Sequence, residues 1–213
     1  MTFKTVLLDP PYPEQGGGKI KRGADRHYPL VGTPGNQTKT AAAMKTVIES
    51  CPHWRDIEED AHMFMWVTSN YLVAGLNIIG QLGFTFKRDF VWVKTKAEVG
   101  SRSAVEVDAV DKRYLQPDED PNELDLRADD LAFGIGQYAR GAHELLLFAT
   151  RGEGYAVRTD AKNIRSVLCA PVSVHSRKPP ESYELVEARS HGPYLEMFAR
   201  TERPGWTSWG NEI

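Results

Sequence analysis

Two cysteines, Cys51 and Cys169, are all that this 213-residue chain contains. That is too few for a disulfide framework, and it predicts buried thiols in a reducing compartment, the cytoplasm. No apolar run approaches the length that spans a bilayer, so no membrane partner is expected. The first residues lack the basic, apolar and small-residue order of a secretory leader. His53, His62, His143, His175 and His191 show no metal-ligand spacing, either among themselves or with the cysteines, so no metal is expected. The chain also lacks a Pro/Ser-rich linker, which predicts one domain over residues 1–213. Finally, it lacks a basic surplus, since the formal net charge is −3.

That charge is unevenly spread. Residues 98–130 hold eleven acids against four bases, so the rest of the chain is mildly basic. The acidic stretch has poor periodicity and reads as a long insertion that repels phosphate, hence a partner contact or a lid. Just behind the first strand, "KIKRGADR" sets four cations against one acid, where a phosphate backbone could be met. With the preceding glycines it forms a loop over about 14–38, read as a substrate gate in which Lys21, Arg22 and Arg26 track phosphates and His27 and Tyr28 border a base.

Apolar runs alternate with helical ones. Val6–Leu8 reads as a buried strand, residues 40–50 as a helix, and residues 62–68 as a second strand. Ser69 or Asn70 is then expected to cap a helix that Gly83 ends. Residues 84–94, 143–150, 165–171 and 194–200 read as extended, and "PPESYELVEARS" as a helix opened by Pro179 and Pro180. Near-continuous apolar strands alternating with helices predict an α/β fold, a mostly parallel sheet with helices on both faces. In "FGIGQYARG" the glycines precede a strand instead of following one, which excludes the dinucleotide fingerprint; a substrate loop is expected there, with Arg140 on a phosphate.

The chemistry concentrates at "LLDPPY". Ligands of open α/β sheets bind outside the carboxyl ends of the strands, where Asp9 stands. Pro10 and Pro11 fix their φ angles and donate no N–H. The carboxylate of Asp9 and the carbonyl of Pro10 could together grip an amino group bearing two hydrogens, while Tyr12 stacks on its ring. The exocyclic amine of adenine is such a group. Two acceptors favour a tetrahedral nitrogen whose lone pair can meet an electrophilic methyl. A bare strand-ending turn is the alternative for these four residues. On charge alone, Lys178 could pair with the carboxylate of a zwitterion, and Glu196 could accept from ribose hydroxyls or pair with Arg200.

"LLDPPY", "HY" at 27–28, "FMWVTSNYLVAGLNIIGQLGF", "FVWVKT", "GIGQYARGAHELLLFATRG", "HSRKPPESYELVE" and "LEMFARTERPGWTSWGNEI" follow one another in an order that resembles a known family. It is that of the N6-adenine methyltransferases named after the seventy-kilodalton subunit of the mRNA adenosine methyltransferase, with its bacterial and phage members. The resemblance implies a Rossmann-like S-adenosylmethionine-dependent fold in permuted order, the catalytic motif N-terminal and the cofactor motif C-terminal. By the same resemblance Asp9, Pro10, Pro11 and Tyr12 hold the target amine, Tyr12 standing where Trp is commoner. The cofactor would be met by Asp9, by Lys178 at its carboxylate, by Glu196 and Arg200 near its ribose, and by Asn211 and Glu212. Arg203 stands where eukaryotic members have Asn. The implied activity is methylation of adenine in DNA, in a bacterial cytoplasm if phage-encoded, with the same chemistry on RNA, or a non-catalytic nucleic-acid-binding partner, as alternatives. A homodimer or a partner subunit is left open.

Overall fold

The computed structural model describes residues 1–13, 30–99, 126–134, 138–161, 164–173, 177–211 and 213. Lys21, Arg22, Arg26, His27, Tyr28, His175 and Glu212 lie outside them, as does most of the acidic stretch.

Seven strands form one sheet: β1 (Phe3–Leu8), β2 (Ile57–Val67), β3 (Thr85–Thr95), β4 (His143–Arg151), β5 (Val167–Pro171), β6 (Tyr194–Met197) and β7 (Trp206–Trp209), in the order β5-β3-β4-β2-β1-β6-β7. The central pairings of β1 with β2 and β6 are parallel, as are β3 with β5 and β6 with β7. β4 runs antiparallel to both neighbours. The sheet is therefore mixed, with its one reversed strand in the middle. Apolar content reveals that residues 143–150 are buried, but direction depends on how the preceding connection crosses, which a run of Leu and Phe does not encode.

β2 shows why both faces are covered. Ala61 to Val67 are all buried, and alternate residues divide between two cores. Met63, Met65 and Val67 join the aliphatic core under helices α1 (Gln37–Glu49) and α2 (Leu72–Gln81). Phe64 and Trp66 join an aromatic-rich core with Phe90, Trp92, Phe148 and Trp206, closed by Leu185 and Val186 of α3 (Glu181–Arg189).

Several boundaries differ from the sequence reading, each for a local reason. α1 starts at Gln37 and not at residue 40, because Asn36 Oδ1 accepts the Lys39 N–H at 2.9 Å and caps it. Neither Ser69 nor Asn70 caps α2. They lie in a 3-10 turn, and the Ala74 N–H is taken instead by Gln37 Oε1 at 2.9 Å, a cap supplied by α1. Gly83 does end that helix segment, at φ +79. The strand expected through residue 200 stops at Met197, because Phe198 takes φ 64, a backbone region costly for an aromatic residue. Past that kink the chain returns as β7.

Candidate active site

Asp9 follows the last residue of β1, and its N–H reaches the Met197 carbonyl of β6 at 3.4 Å. It thus stands at the carboxyl end of the parallel strands. The next residues turn tightly: the Tyr12 N–H donates to Pro10 O at 2.9 Å, and Val31 N–H to Pro11 O at 2.9 Å. One lone pair of the Pro10 carbonyl is thereby used and one remains for a ligand. The Tyr12 ring lies flat on Tyr71, with centroids 5.1 Å apart and planes 9° apart, so a base can stack only on its other face. The Tyr12 hydroxyl is buried and has no hydrogen-bond partner among the described residues. Burial, and then the charge of Asp9, push that phenol far above its ordinary range.

Asp9 begins a string of alternating charges. Lys178 Nζ, in the loop before α3, lies 2.7 Å from Asp9 Oδ1 and 3.3 Å from Glu144 Oε2. Lys94 Nζ, near the end of β3, lies 2.6 Å from Glu144 Oε1. The two ammonium groups also sit over indole rings, Lys178 at 5.6 Å from Trp66 and Lys94 at 5.1 Å from Trp92. Side-chain exposure along the string is only 14–24%. For Glu144, burial raises the pKa but Lys178 and Lys94 together outweigh it, and its carboxyl falls below the usual range. Lys178 is thus positioned by two carboxylates before any ligand arrives.

The second half of the site lies on β6 and α3. Tyr183 donates its hydroxyl to Glu196 Oε1 at 2.6 Å, while Glu196 Oε2 is buried with no hydrogen-bond partner among the described residues. Burial raises the Glu196 carboxyl; the Tyr183 hydrogen bond and Arg203 pull it down less strongly, and Asp9 adds to the rise. Arg203 lies with its guanidinium carbon 3.7 Å from the Tyr183 ring centroid. Tyr183 itself is pushed up, mainly by burial and then by Glu196. An orphaned carboxylate oxygen beside a cation-covered phenol is an acceptor held for a hydroxyl or N–H donor.

Asp9, Pro10, Tyr12, Lys178 and Glu196 are therefore brought to one end of the sheet. Gly210 packs so tightly that a Cβ there would stand 2.0 Å from Ala199 O, which sets Asn211, exposed, beside the segment that holds half-buried Arg200. Arg140 sits on the rim, its guanidinium 5.3 Å from the centroid of Phe133, which is 62% exposed, beside fully exposed Tyr138. Sequence reasoning missed Lys94, Glu144 and Tyr183. The available signal was a charged residue within two positions of a strand end in "FVWVKT" and "HELLL". Among the described residues no group of three or more His, Cys, Asp or Glu could hold a metal ion. Cys51 and Cys169 are buried, and neither is in a disulfide.

Comparison with known proteins covers part of the chain. The MT-A70 family model matches residues 129–212. The human protein named N(6)-adenine-specific methyltransferase METTL4 is 48% identical over 48 residues, 22% of this chain and 10% of that protein. Its mouse counterpart is 47% identical over 55 residues, 25% of this chain and 11% of that protein. The chain thus aligns with about a tenth of the length of these relatives. Asp9 and Tyr12 lie outside the family match, whereas Glu144, Lys178, Tyr183 and Glu196 lie inside it. Residues 129–212, which form β4 to β7 and α3, carry the sequence pattern of the MT-A70 family.

Proposed function

We propose that this chain is an S-adenosylmethionine-dependent N6-adenine methyltransferase acting on nucleic acid, in permuted order, with Asp9 at the reacting amine. The observation that carries the reading is the ion pair of Asp9 with Lys178, which joins the strand-end carboxylate to the MT-A70 segment beside the orphaned Glu196 oxygen. The names of the relatives, both N6-adenine-specific methyltransferases, support it.

The residues present fit the cofactor. Glu196 Oε2 is a buried acceptor suited to ribose hydroxyls, and Tyr183 fixes the carboxylate that offers it. Lys178 suits a carboxylate, which would have to share the ammonium with Asp9 and Glu144. Arg200, Asn211 and Glu212 complete the set by position along the chain. S-adenosylmethionine, when bound, supplies an electrophilic sulfonium methyl. Asp9 accepts one N–H of the adenine amine, the remaining lone pair of Pro10 O accepts the other, and the free face of Tyr12 stacks on the base. Holding both N–H groups withdraws the nitrogen lone pair from the ring and aims it.

Phe133 and Tyr138 beside Arg140 suit stacking on unpaired bases; Lys21, Arg22, Arg26, His27 and Tyr28, assigned to the substrate by sequence, lie outside the described residues. An unpaired strand is offered by RNA and by single-stranded or flipped DNA alike, so RNA stands beside DNA as substrate. The test is transfer of labelled methyl to matched DNA and RNA pools, with product nucleosides resolved by mass and Asp9→Ala run in parallel. N6-methyladenine in either pool, abolished by the substitution, establishes the activity and its substrate. Absence of transfer in both pools despite cofactor binding would sink it in favour of a non-catalytic nucleic-acid-binding role.

A further inference from the structure

Behind the ring assigned to the target base stands a second ring. β1 and β2 are parallel neighbours that leave the sheet at the same end, and each carries a tyrosine shortly beyond its last residue, Tyr12 after Leu8 and Tyr71 after Val67. The two rings are stacked, with centroids 5.1 Å apart and planes 9° apart. The Tyr12 hydroxyl has no hydrogen-bond partner among the described residues, so the tilt of its ring rests on packing, and Tyr71 is the ring it lies flat against. Tyr71 is itself held firmly. It is buried in the aliphatic core, and its N–H donates to Thr68 O at 2.9 Å. Gln37, the first residue of α1, grips the chain on both sides of it: Gln37 Nε2 donates to Asn70 O at 2.5 Å, and Gln37 Oε1 accepts from the Ala74 N–H at 2.9 Å.

We propose that Tyr71 is a positioning residue for the target base: it sets the plane of Tyr12, Gln37 holds Tyr71 in place, and the adenine stacks as the third layer on the free face of Tyr12. The inference rests on the reading of Tyr12 given above and extends it to residues that never touch the base. A base stacked on Tyr12 takes its plane from the pair of rings, and that plane decides whether the amine falls between the Asp9 carboxylate and Pro10 O. With a smaller, non-planar side chain in place of Tyr71, the Tyr12 ring gains room to tilt and no hydroxyl contact restrains it. The pair of Asp9 with Lys178 and the orphaned Glu196 oxygen do not involve Tyr71, so cofactor binding is left unchanged.

The test is fluorescence anisotropy on the full chain with saturating S-adenosylhomocysteine. A labelled oligothymidine carrying one adenine is compared with the all-thymine strand, and an oligouridine carrying one adenine with the all-uracil strand. In at least one series the wild type should bind the adenine strand about tenfold more tightly, the scale of one base stacked on an aromatic ring. Tyr12→Ala and Tyr71→Leu should each lose most of that gain, and the two combined should lose no more than Tyr12→Ala alone, because Tyr71 acts through Tyr12. Tyr71→Phe keeps the ring and should keep the gain. In methyl transfer, Tyr71→Leu should raise the oligonucleotide KM about tenfold with the S-adenosylhomocysteine Kd unchanged. Should Tyr71→Leu melt below the wild type, Gln37→Ala, which leaves both rings present, replaces it and should lose part of the gain. A gain that survives Tyr71→Leu, or Gln37→Ala where that stands in, while Tyr12→Ala abolishes it, overturns the role of Tyr71, as does a further loss in the combined variant. An adenine gain that follows this pattern without any methyl transfer supports the stack and overturns the activity instead. No adenine gain in the wild type in either series overturns the stack and the role of Tyr71 with it.

Discussion

Where β1 stops, Asp9, Lys178, Glu144 and Lys94 lie as an alternating string of four charges, each largely shielded from water. Towards the other end of the sheet, His62 is buried as a single ring, with Nδ1 2.5 Å from Ser190 Oγ and Nε2 2.6 Å from Gly154 O. Burial, little relieved by that carbonyl, lowers its pKa to about 4. One region keeps its ions by pairing them; the other excludes an ion altogether. A buried ion needs a partner of opposite sign, whereas a buried neutral ring needs only one acceptor and one donor. The paired region can exchange a protein carboxylate for a ligand's; the neutral region can only break.

That contrast can be broken from its active side first. Asp9→Ala should reduce methyl transfer by about 100-fold or more, the scale for removing a group that meets the reacting atoms. The melting midpoint should change far less, because Lys178 keeps Glu144. A variant that melts low and methylates normally per folded molecule would make Asp9 merely structural.

Glu144→Gln tests the string itself. It removes the carboxylate that separates two buried ammonium groups, and should cost about 3 kcal/mol in denaturant unfolding, the scale for stranding a buried charge. The single change strands Lys94, since Lys178 keeps Asp9; Lys94→Met with Glu144→Gln, which strands neither ammonium, should cost less.

The His62 end is tested by pH. Its folded pKa lies below the unfolded 6.5, so the unfolded chain binds the proton more tightly and stability is complete above pH 6.5. It should fall by about 3 kcal/mol as pH drops from 6.5 towards 4. His62→Asn should flatten that slope. Glu144, whose folded pKa is also lowered, contributes a loss that begins lower, around its ordinary 4.5, so the two ends separate along the pH axis. A wild-type curve flat between pH 6.5 and 5 would contradict the neutral reading of His62.

The smallest effect belongs to Tyr183→Phe. It deletes one hydrogen bond to Glu196, costing about 1 kcal/mol, and should raise the cofactor Kd several-fold with little change in the maximal rate. Equal loss in the rate would place Tyr183 at the chemistry.

Local pattern carried the elements. Apolar runs and stretches of helix-forming residues located β1 to β6 and the three α-helices, and a strand running into Asp-Pro-Pro placed Asp9 at the carboxyl end of the parallel strands. β7 escaped because four residues, "WTSW", carry too little periodicity to separate a strand from a turn. Glu144 and Lys94 escaped because each looks locally like a charged residue at the solvated end of a strand. They acquire their ion pairs only when β3, β4 and the loop before α3 meet over Trp66 and Trp92. The amino-acid order alone determined which strands are buried on both faces and that Asp9 follows the first of them, because those properties follow from side-chain chemistry and spacing. Tertiary structure decided the reversal of β4, the face of Tyr12 given to Tyr71, and the partner of every buried charge, because these depend on contacts between residues far apart in the chain.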